Sequence, residues 1–425
     1  MSRFLLSVLT LPLMLLIAAP CLAQNWPQFR GPDAEGHTTA QNLPLEWSTT
    51  ENVYWKTEIP GGGWSSPVVV DGRIYLTSAV EIKSPEPEGE EAVIPRNPHS
   101  LRVICVDYES GKPAWSTEVA MVPADTSIHS KNSHASPTPL VSGDRIFVHF
   151  GNHGTAALDL DGRIIWNRKI DYNPVHGSGG SPVLFEDHLI LNCDGGSDPF
   201  VISLHTATGE ERWRTPRPEF PNQTFSFSTP LLIEVEKRTQ CISAGSHVVC
   251  SYDPRSGKEL WSVRYPNKWS IVPKPVYAGG KVLICTGYEG PAELLAIQPE
   301  GEGDVTETHV SWRVDQFVPH NPSPLVIDDA IYMISDKGIA SCRALDSGEL
   351  HWKARVGGNF SASPIVGEGH IFLMSEAGLC TVIKAAREYE VVAENDLEER
   401  TFSSIAPQDG NLIIRTETML YRIKN

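Results

Sequence analysis

The chain has 425 residues, of which 40% are hydrophobic and 20% are charged. This is the composition of an ordinary globular protein and excludes wholesale disorder, collagen and coiled coil. The formal net charge of −17 disfavours nucleic acids and anionic membrane surfaces as partners, because an acidic chain is repelled by phosphates. With 34 glycines and 33 prolines, the sequence favours many turns between short strands.

The first 23 residues have the three parts of a secretory signal peptide. Arg3 supplies the positive start, residues 4–19 the apolar stretch, and residues 21–23 a cleavage site. The apolar stretch is short for a membrane span, and we predict a protein without a transmembrane segment, in the periplasm or outside the cell. Cys21 leaves a lipid anchor as the alternative, although Pro20 stands where a lipoprotein signal carries a small residue.

A first repeated signature is a small polar residue, then proline, then an aliphatic run. It occurs eight times, at intervals of 70, 45, 48, 45, 49, 40 and 43 residues. Self-similarity at such a period is typical of repeat architectures. The prolines are Pro67, Pro137, Pro182, Pro230, Pro275, Pro324, Pro364 and, in a degenerate copy, Pro407.

A second signature is glycine followed four residues later by tryptophan. Trp312 and Trp55 occupy the same place in repeats whose turn is altered or absent. We predict that these indoles pack over the neighbouring repeat and bury apolar area there, a structural role. The complete set is Trp55, Trp115, Trp166, Trp213, Trp261, Trp312 and Trp352.

Each repeat contains four short strand-like segments separated by tight turns such as Asp71-Gly72 and Gly279-Gly280. Four-stranded repeats of this length predict the blades of a β-propeller. We therefore predict an all-β, eight-bladed propeller of four-stranded antiparallel blades over residues 53–425. Residues 53–59 form a strand without a blade of its own, so we expect it to pair with the C-terminal strands and close the ring. Residues 24–52 are an N-terminal extension.

Two further segments carry structural expectations. Residues 79–100 are acidic and proline-rich, which predicts a long exposed loop between the second and third strands of the first blade. Cys241 and Cys250 lie symmetrically about Gly245-Ser246 in a predicted hairpin. The sequence leaves two alternatives for these cysteines: a disulfide between them, or two packed free thiols.

The repeats resemble the pyrroloquinoline-quinone (PQQ) repeat, whose usual form is A-x-D-x-x-T-G-x-x-x-W. SYDPRSGKELW at residues 251–261 and CVDYESGKPAW at residues 105–115 carry the resemblance, and NWPQFRGP at residue 25 is similar to the start of secreted bacterial members. The resemblance to this superfamily, called quinoprotein alcohol dehydrogenase-like, implies a propeller fold. The superfamily contains quinoprotein alcohol dehydrogenases and non-catalytic propellers such as the outer-membrane assembly lipoprotein BamB.

The resemblance to the dehydrogenases stops at their catalytic machinery. That branch implies a vicinal disulfide over PQQ and a calcium site beside a catalytic aspartate, but no two of the eight cysteines in this chain are adjacent. We therefore assign no catalytic residue and no metal ligand, and we expect no PQQ. The interpretation is a secreted, non-catalytic scaffold or binding propeller of the BamB-like branch. A PQQ-dependent dehydrogenase and an enzyme of another class are the alternatives.

A ligand site is predicted where the chain leads into the innermost strands. In a propeller these segments converge on the channel mouth, so aromatic, imidazole and amide side chains from different repeats meet there. The sequence leaves two interpretations open: these side chains bind a protein, peptide or glycan partner, or they only plug the channel and satisfy each other's hydrogen bonds. The candidate residues are Trp64, His134, His176, Trp269, His320 and Asn321.

Overall fold

The computed structural model describes residues 25–83 and 97–425. The predicted signal peptide and most of the acidic loop lie outside the described residues. Eight antiparallel sheets follow one another along the chain, and one 3₁₀ turn, Gly151–His153, interrupts the strands described. The prediction of an all-β, eight-bladed propeller is confirmed.

The first four blades are built from consecutive strands, ordered from the channel outwards. Blade 1 contains β2 (Val68–Val70), β3 (Arg73–Glu81), β4 (His99–Asp107) and β5 (Pro113–Val122). Blade 2 contains β6 (Leu140–Ser142), β7 (Arg145–His149), β8 (Thr155–Asp159) and β9 (Ile164–Arg168). Blade 3 contains β10 (Val183–Phe185), β11 (His188–Cys193), β12 (Phe200–His205) and β13 (Glu211–Pro216). Blade 4 contains β14 (Leu231–Val235), β15 (Arg238–Gly245), β16 (Val248–Tyr252) and β17 (Glu259–Arg264).

The second half of the ring follows the same order. Blade 5 contains β18 (Val276–Ala278), β19 (Lys281–Cys285), β20 (Leu294–Ile297) and β22 (Val310–Val314), while β21 (Gly303–Asp304) pairs in parallel with β17 of blade 4. Blade 6 contains β23 (Leu325–Ile327), β24 (Ala330–Ile334), β25 (Ile339–Ala344) and β26 (Leu350–Arg355). Blade 7 contains β27 (Ile365–Gly367), β28 (His370–Met374), β29 (Leu379–Lys384) and β30 (Val391–Asp396). Blade 8 contains β31 (Ala406–Gln408), β32 (Asn411–Arg415), β33 (Met419–Lys424) and β1 (Val53–Glu58).

Blade 8 joins the two ends of the described chain. Its outer strand β1 pairs antiparallel with β33, with Val53 opposite Ile423 and Glu58 opposite Met419. The predicted closure is therefore confirmed. The closed ring places blade 8 between blades 7 and 1, and buried side chains of these three blades form one hydrophobic cluster.

In blades 2 and 8, the residue that precedes the innermost strand is two residues away from the proline that the sequence signature indicated. Strand β6 begins directly after Pro139, and β31 begins directly after Ile405, so these residues, and not Pro137 and Pro407, correspond to Pro67 of blade 1. The error in blade 2 arose because its sequence, Ser-Pro-Thr-Pro, contains the proline twice. In blade 8 the corresponding position carries no proline at all.

The acidic loop of blade 1 is shorter than predicted. Strands β3 and β4 continue past the usual blade length, with Ala79 opposite Leu101 and Glu81 opposite His99. Residues 79–81 and 99–100 are therefore strand and not loop. The connection does lie between the second and third strands of blade 1, as expected.

Most of the repeated indoles lie against the turn of the next blade. The six-membered part of the ring covers a turn glycine, so that a Cβ added to Gly257 would lie 2.5 Å from Trp213. The indole N–H also donates to a carbonyl oxygen of that next blade. The bonds run from Trp55 to Tyr108, Trp115 to Leu160, Trp166 to Thr206, Trp213 to Pro254 and Trp352 to Ala386, at 2.7–3.0 Å.

Two indoles depart from this arrangement. Trp261 is fully buried and donates to Oε1 of Gln240 within its own blade, at 2.8 Å. The extra strand β21 lies beside β17 at this point, with Gly303 opposite Trp261. This strand stands where the next blade would otherwise present the turn that the indole covers. The ring of Trp312 lies over Gly348, but its buried N–H has no hydrogen-bond partner among the described residues.

Cys241 and Cys250 do lie on the two strands of a hairpin, but not opposite each other. The two-residue turn is Ser246-His247, because Gly245 pairs with Val248. Cys241 therefore faces Tyr252, and Cys250 faces Ser243. Both cysteines are buried free thiols in the structure.

Candidate functional site

The segment before each innermost strand is extended and presents alternate side chains to the channel. We number it backwards from the residue that immediately precedes the strand, which is Pro67 in blade 1 and Pro139 in blade 2. In an extended chain residues one and three positions back lie on the same side. The eight residues at position −3 all line one axial cavity, and so do seven of the eight at position −1.

The cavity has a volume of about 430 Å³. The position −3 layer consists of Trp64, Ser136, Gly179, Phe227, Val272, Asn321, Ser361 and Phe402. The position −1 layer consists of Ser66, Thr138, Ser181, Thr229, Ser323, Ser363 and Ser404. Nearer the mouth lie His129, Lys131, Asn132, His176, Phe225, Trp269, Ser270 and Tyr288, and Phe29 enters from the N-terminal extension.

The position −1 hydroxyls form a hydrogen-bonded ring, which we call the hydroxyl ring. The backbone N–H at position −1 of one blade donates to the hydroxyl oxygen of the next. The N–H of Ser66 reaches Thr138 at 3.0 Å, for example, and that of Thr138 reaches Ser181 at 2.9 Å. Five further bonds of 2.9–3.1 Å continue the pattern around the axis. The ring fixes the inner ends of the blades relative to one another.

Blade 5 interrupts the hydroxyl ring with Lys274. Its side chain is buried, and its ammonium donates to the carbonyl oxygen of Ala34 at 3.0 Å. Burial, together with the nearby Arg30 guanidinium, lowers the pKa of Lys274 to about 7. Lys274 thus anchors the N-terminal extension instead of continuing the ring.

The N-terminal extension crosses the channel and forms the floor of the cavity. It starts at blade 1, where the N–H of Trp26 donates to the carbonyl of Val69 at 2.7 Å. Arg30 then donates to the carbonyl of Pro324 in blade 6, at 2.7 Å. The extension reaches blade 7, where the N–H of Thr38 donates to Val366 at 3.0 Å. Phe29 lies on this path and faces the cavity.

Four of the six residues predicted for the channel mouth line this cavity: Trp64, His176, Trp269 and Asn321. The ring of Trp64 packs on that of Phe402 with centroids 4.6 Å apart. Asn321 is oriented by its amide, which donates to the carboxylate of Asp336. The structure thus brings these four side chains, which come from blades 1, 3, 5 and 6, to one axis.

His134 and His320 do not line the cavity. The numbering of blade 2 is displaced by two residues, which puts Ser136 and not His134 at position −3. His134 packs instead beside His99 and His153, at 5.3 and 6.1 Å between ring centroids. Burial, with those two histidines, lowers the pKa of His134 to about 4.

His320 lies behind the wall of the cavity. Its ring stacks on Tyr288 with centroids 4.3 Å apart, and its backbone N–H donates to Asp336 at 2.6 Å. Burial raises the pKa of Asp336, but hydrogen bonds from the His320 side chain, from the His320 N–H and from the Asn321 amide outweigh it and lower that pKa. His320 therefore positions neighbours that do face the cavity.

The charges of the lining are balanced. Lys131 is its one permanently charged side chain among the described residues, and its Nζ lies 2.8 Å from the carboxylate of Glu376. Burial and His129 lower the pKa of His176, which keeps that imidazole neutral at neutral pH. The cavity is therefore aromatic and hydroxylated, without a net charge.

The described lining does not fit PQQ with calcium. It contains no aspartate, glutamate or cysteine, and Ca²⁺ requires oxygen ligands that usually include carboxylates. Within residues 25–83 and 97–425, moreover, no three histidine, cysteine or acidic side chains are grouped so as to hold a metal ion. We derive no chemical step through that cofactor.

The fold and its cavity define a PQQ-like β-propeller. Residues 99–349 match the family model described as outer membrane protein assembly factor BamB. Because this match covers more than half of the chain, the protein belongs to that family.

Two solved structures have the same fold. BamB from Moraxella catarrhalis is similar with 13% sequence identity and a TM-score of 0.55, covering 82% of this chain and 97% of that one. A europium-containing methanol dehydrogenase is similar with 11% identity and a TM-score of 0.65, covering 94% of this chain and 98% of that one. No curated protein sequence matches the chain. In the part of the chain that the structure describes, no helix has the length and apolar character of a membrane span.

Proposed function

We propose that the protein is a non-catalytic binding propeller that takes a small ligand in its axial cavity. The observation that carries the proposal is the cavity itself, whose volume of about 430 Å³ lies in the range of small-molecule sites. Aromatic faces and directional polar groups converge in it from all eight blades. Among the lining residues that the structure describes, no hydroxyl or ammonium group is hydrogen-bonded to an imidazole that could act as its base, which supports binding without catalysis.

The competing function is oxidation of an alcohol, as the name of the methanol dehydrogenase neighbour suggests, with PQQ as the cofactor that the repeat resemblance implies. The missing carboxylates and thiols of the lining argue against it. The test is dye-linked dehydrogenase activity of the purified protein with methanol, ethanol and glucose, after incubation with PQQ and calcium. We expect none. Activity that requires both additions and disappears on chelation would overturn the non-catalytic proposal.

We further propose that the protein works outside the cytoplasm. The signal-like first 23 residues and membership of a family described by an outer membrane assembly factor support this location. Mass spectrometry of the protein from the envelope fraction of a bacterial host should find the chain starting at Gln24. A chain retaining Met1 in the cytoplasmic fraction would contradict the proposal.

The binding proposal is tested by comparing variants of the cavity lining with a variant of the packing between blades. Trp64→Ala and Trp269→Ala remove aromatic faces that line the cavity, whereas Trp213→Ala removes an indole packed between blades. Ligands are screened from a panel of glycans and peptides by isothermal titration calorimetry. We expect the two cavity variants to lose affinity at least tenfold with little change in melting temperature. If they melt as early as Trp213→Ala, the side chains are a structural plug and the proposal fails.

A further inference from the structure

We propose that the ligand of the axial cavity is a neutral carbohydrate, held by the hydroxyl ring and the aromatic layer above it. This inference rests on the proposed binding function and names its ligand class. Three features of the lining lead to it: unused hydroxyl donors, aromatic faces at the adjacent level, and the absence of net charge.

The hydroxyl ring has hydrogen-bond donors to spare. Each of its oxygens accepts a backbone N–H from the preceding blade, but accepting leaves the hydroxyl proton free to be donated. Among the described residues, one of these protons has a protein acceptor, because Ser363 donates to Ser323 at 3.1 Å. The remaining hydroxyls line the cavity with at most 5% of the residue exposed. They are Ser66, Thr138, Ser181, Thr229, Ser323 and Ser404.

Such a set of buried donors calls for a ligand with several oxygen acceptors. A buried donor without a partner costs free energy, so the ring is completed by groups that accept its protons. A sugar carries an acceptor oxygen on almost every ring carbon, which matches donors distributed around an axis. A ligand with a single polar end would leave most of the ring unpaired.

The aromatic layer provides faces for the apolar side of sugar rings. Trp64, Phe227 and Phe402 stand at position −3, two residues before the hydroxyl ring in the chain, and Phe29 faces the same cavity. Flat aromatic rings bury large apolar areas against a flat partner. Carbohydrates combine such a face with the polar edge that the hydroxyl ring requires.

Charge separates this ligand from the alternatives. A cationic ligand has to compete with Arg400, whose guanidinium already lies 5.5 Å from the ring centre of Trp64 and 4.7 Å from that of Phe402. An anionic ligand needs a free cation, but Lys131 is paired with Glu376 and Arg400 with Glu417. A neutral ligand has neither requirement.

The experiment compares neutral and charged ligands of similar size by isothermal titration calorimetry. The neutral probes are cellobiose, maltose and N,N′-diacetylchitobiose; the charged probes are digalacturonate and a Lys-Trp-Lys peptide. Binding of at least one neutral disaccharide, at least tenfold tighter than either charged probe, is expected. Binding of a charged probe alone, lost in Trp64→Ala, would overturn the carbohydrate inference and leave the cavity function standing. If no probe binds, the carbohydrate inference fails, and the broader screen decides the binding proposal separately.

A matched pair of variants tests the role of the hydroxyl ring. Thr138→Val keeps the shape of the side chain and removes its hydroxyl. Thr138→Ser keeps the hydroxyl and gives blade 2 the serine that most other blades carry at position −1. Thr138→Val removes the proton offered to the ligand and also the acceptor of the Ser66 N–H, so its melting temperature should fall. Measured where the variant is folded, its disaccharide binding should be about five- to tenfold weaker. Thr138→Ser should stay within twofold of the wild type. Equal affinities in the two variants, measured at a temperature where both are folded, would show that the Thr138 hydroxyl does not contact the ligand.

Discussion

The backbone N–H of Ser404 donates to the hydroxyl oxygen of Ser66 at 3.1 Å, across 338 residues of sequence. The same bond joins neighbouring blades elsewhere, as between Ser66 and Thr138 at 3.0 Å. Blade 8 is thus connected to blade 1 at the channel in the way that consecutive blades are connected. The hydroxyl ring therefore contributes to the closure of the propeller, beside the pairing of β1 with β33.

Removing residues 25–59 should destabilise the whole ring. The deletion takes away β1, which is the outer strand of blade 8, and the indole of Trp55 that docks on blade 1. It also removes Trp26 and Trp47 from the core between blades. We expect a lower melting temperature and aggregation through the reopened sheet edge, measured by differential scanning calorimetry and light scattering. A variant that melts like the parent would contradict the closure.

Gly257→Ala should cost more stability than Gly72→Ala. Both glycines have a positive φ, 71° and 74°, so alanine suffers a similar backbone strain of about 1 kcal/mol at each. A Cβ at Gly257 would also lie 2.5 Å from Trp213, whereas a Cβ at Gly72 meets nothing within 4 Å. The extra crowding should add about 1–3 kcal/mol, measured by urea unfolding. Equal losses would mean that the indole does not pack tightly on the turn.

Asp194→Ala should be severely destabilising. Its carboxylate and the guanidinium of Arg217 form a fully buried pair, with Nη2 to Oδ2 at 2.9 Å. Removing one partner strands the other charge in the core, at a cost of about 3–5 kcal/mol. The matched control is Glu211→Ala, which breaks a solvent-exposed pair with Arg214 and should cost less than about 1 kcal/mol. Similar denaturation midpoints for the two variants would refute this assignment.

The protein should lose stability as the pH falls from about 6.5 towards 4. Burial lowers the pKa of His149 to about 4, so in this interval the unfolded chain binds a proton that the folded chain excludes. The contribution is complete above the unfolded pKa and declines below it by about 1.4 kcal/mol per pH unit. His149→Gln cannot titrate and should show a shallower acid limb in urea unfolding at pH 7, 6 and 5. Identical pH slopes would rule out His149 as the cause.

The sequence was sufficient to predict the architecture because the repeat is periodic. The recurring proline and tryptophan positions mark one inner and one outer strand in most blades, and the strand β1, which has no blade of its own in sequence, indicated the closure. Phase errors arose where a blade departs from the pattern, at Pro139 with its doubled proline and at Ile405 with none. The turn at Ser246-His247 was misplaced by one residue because glycine at position 245 offered the stronger turn signal.

The candidate site could be predicted only in part. Trp64 and Asn321 stand at position −3, which is countable from the proline. His134 was predicted for the cavity because position −3 of blade 2 was counted from Pro137, whereas the strand begins after Pro139. The serine or threonine before the proline was visible in the sequence, but its bonding into a ring depends on neighbouring blades. Phe29 comes from an extension without any repeat, so no periodicity indicated its place.

Whether the axial cavity is a ligand site is decided most directly by a crystal structure of the protein soaked with the tightest-binding disaccharide. We expect electron density for the sugar within the cavity, with its oxygens about 2.5–3.0 Å from hydroxyl-ring oxygens such as those of Thr138 and Ser181 and one face against Trp64. Density confined to the outer surface, or a cavity filled by rearranged side chains, would contradict a ligand site on the propeller axis.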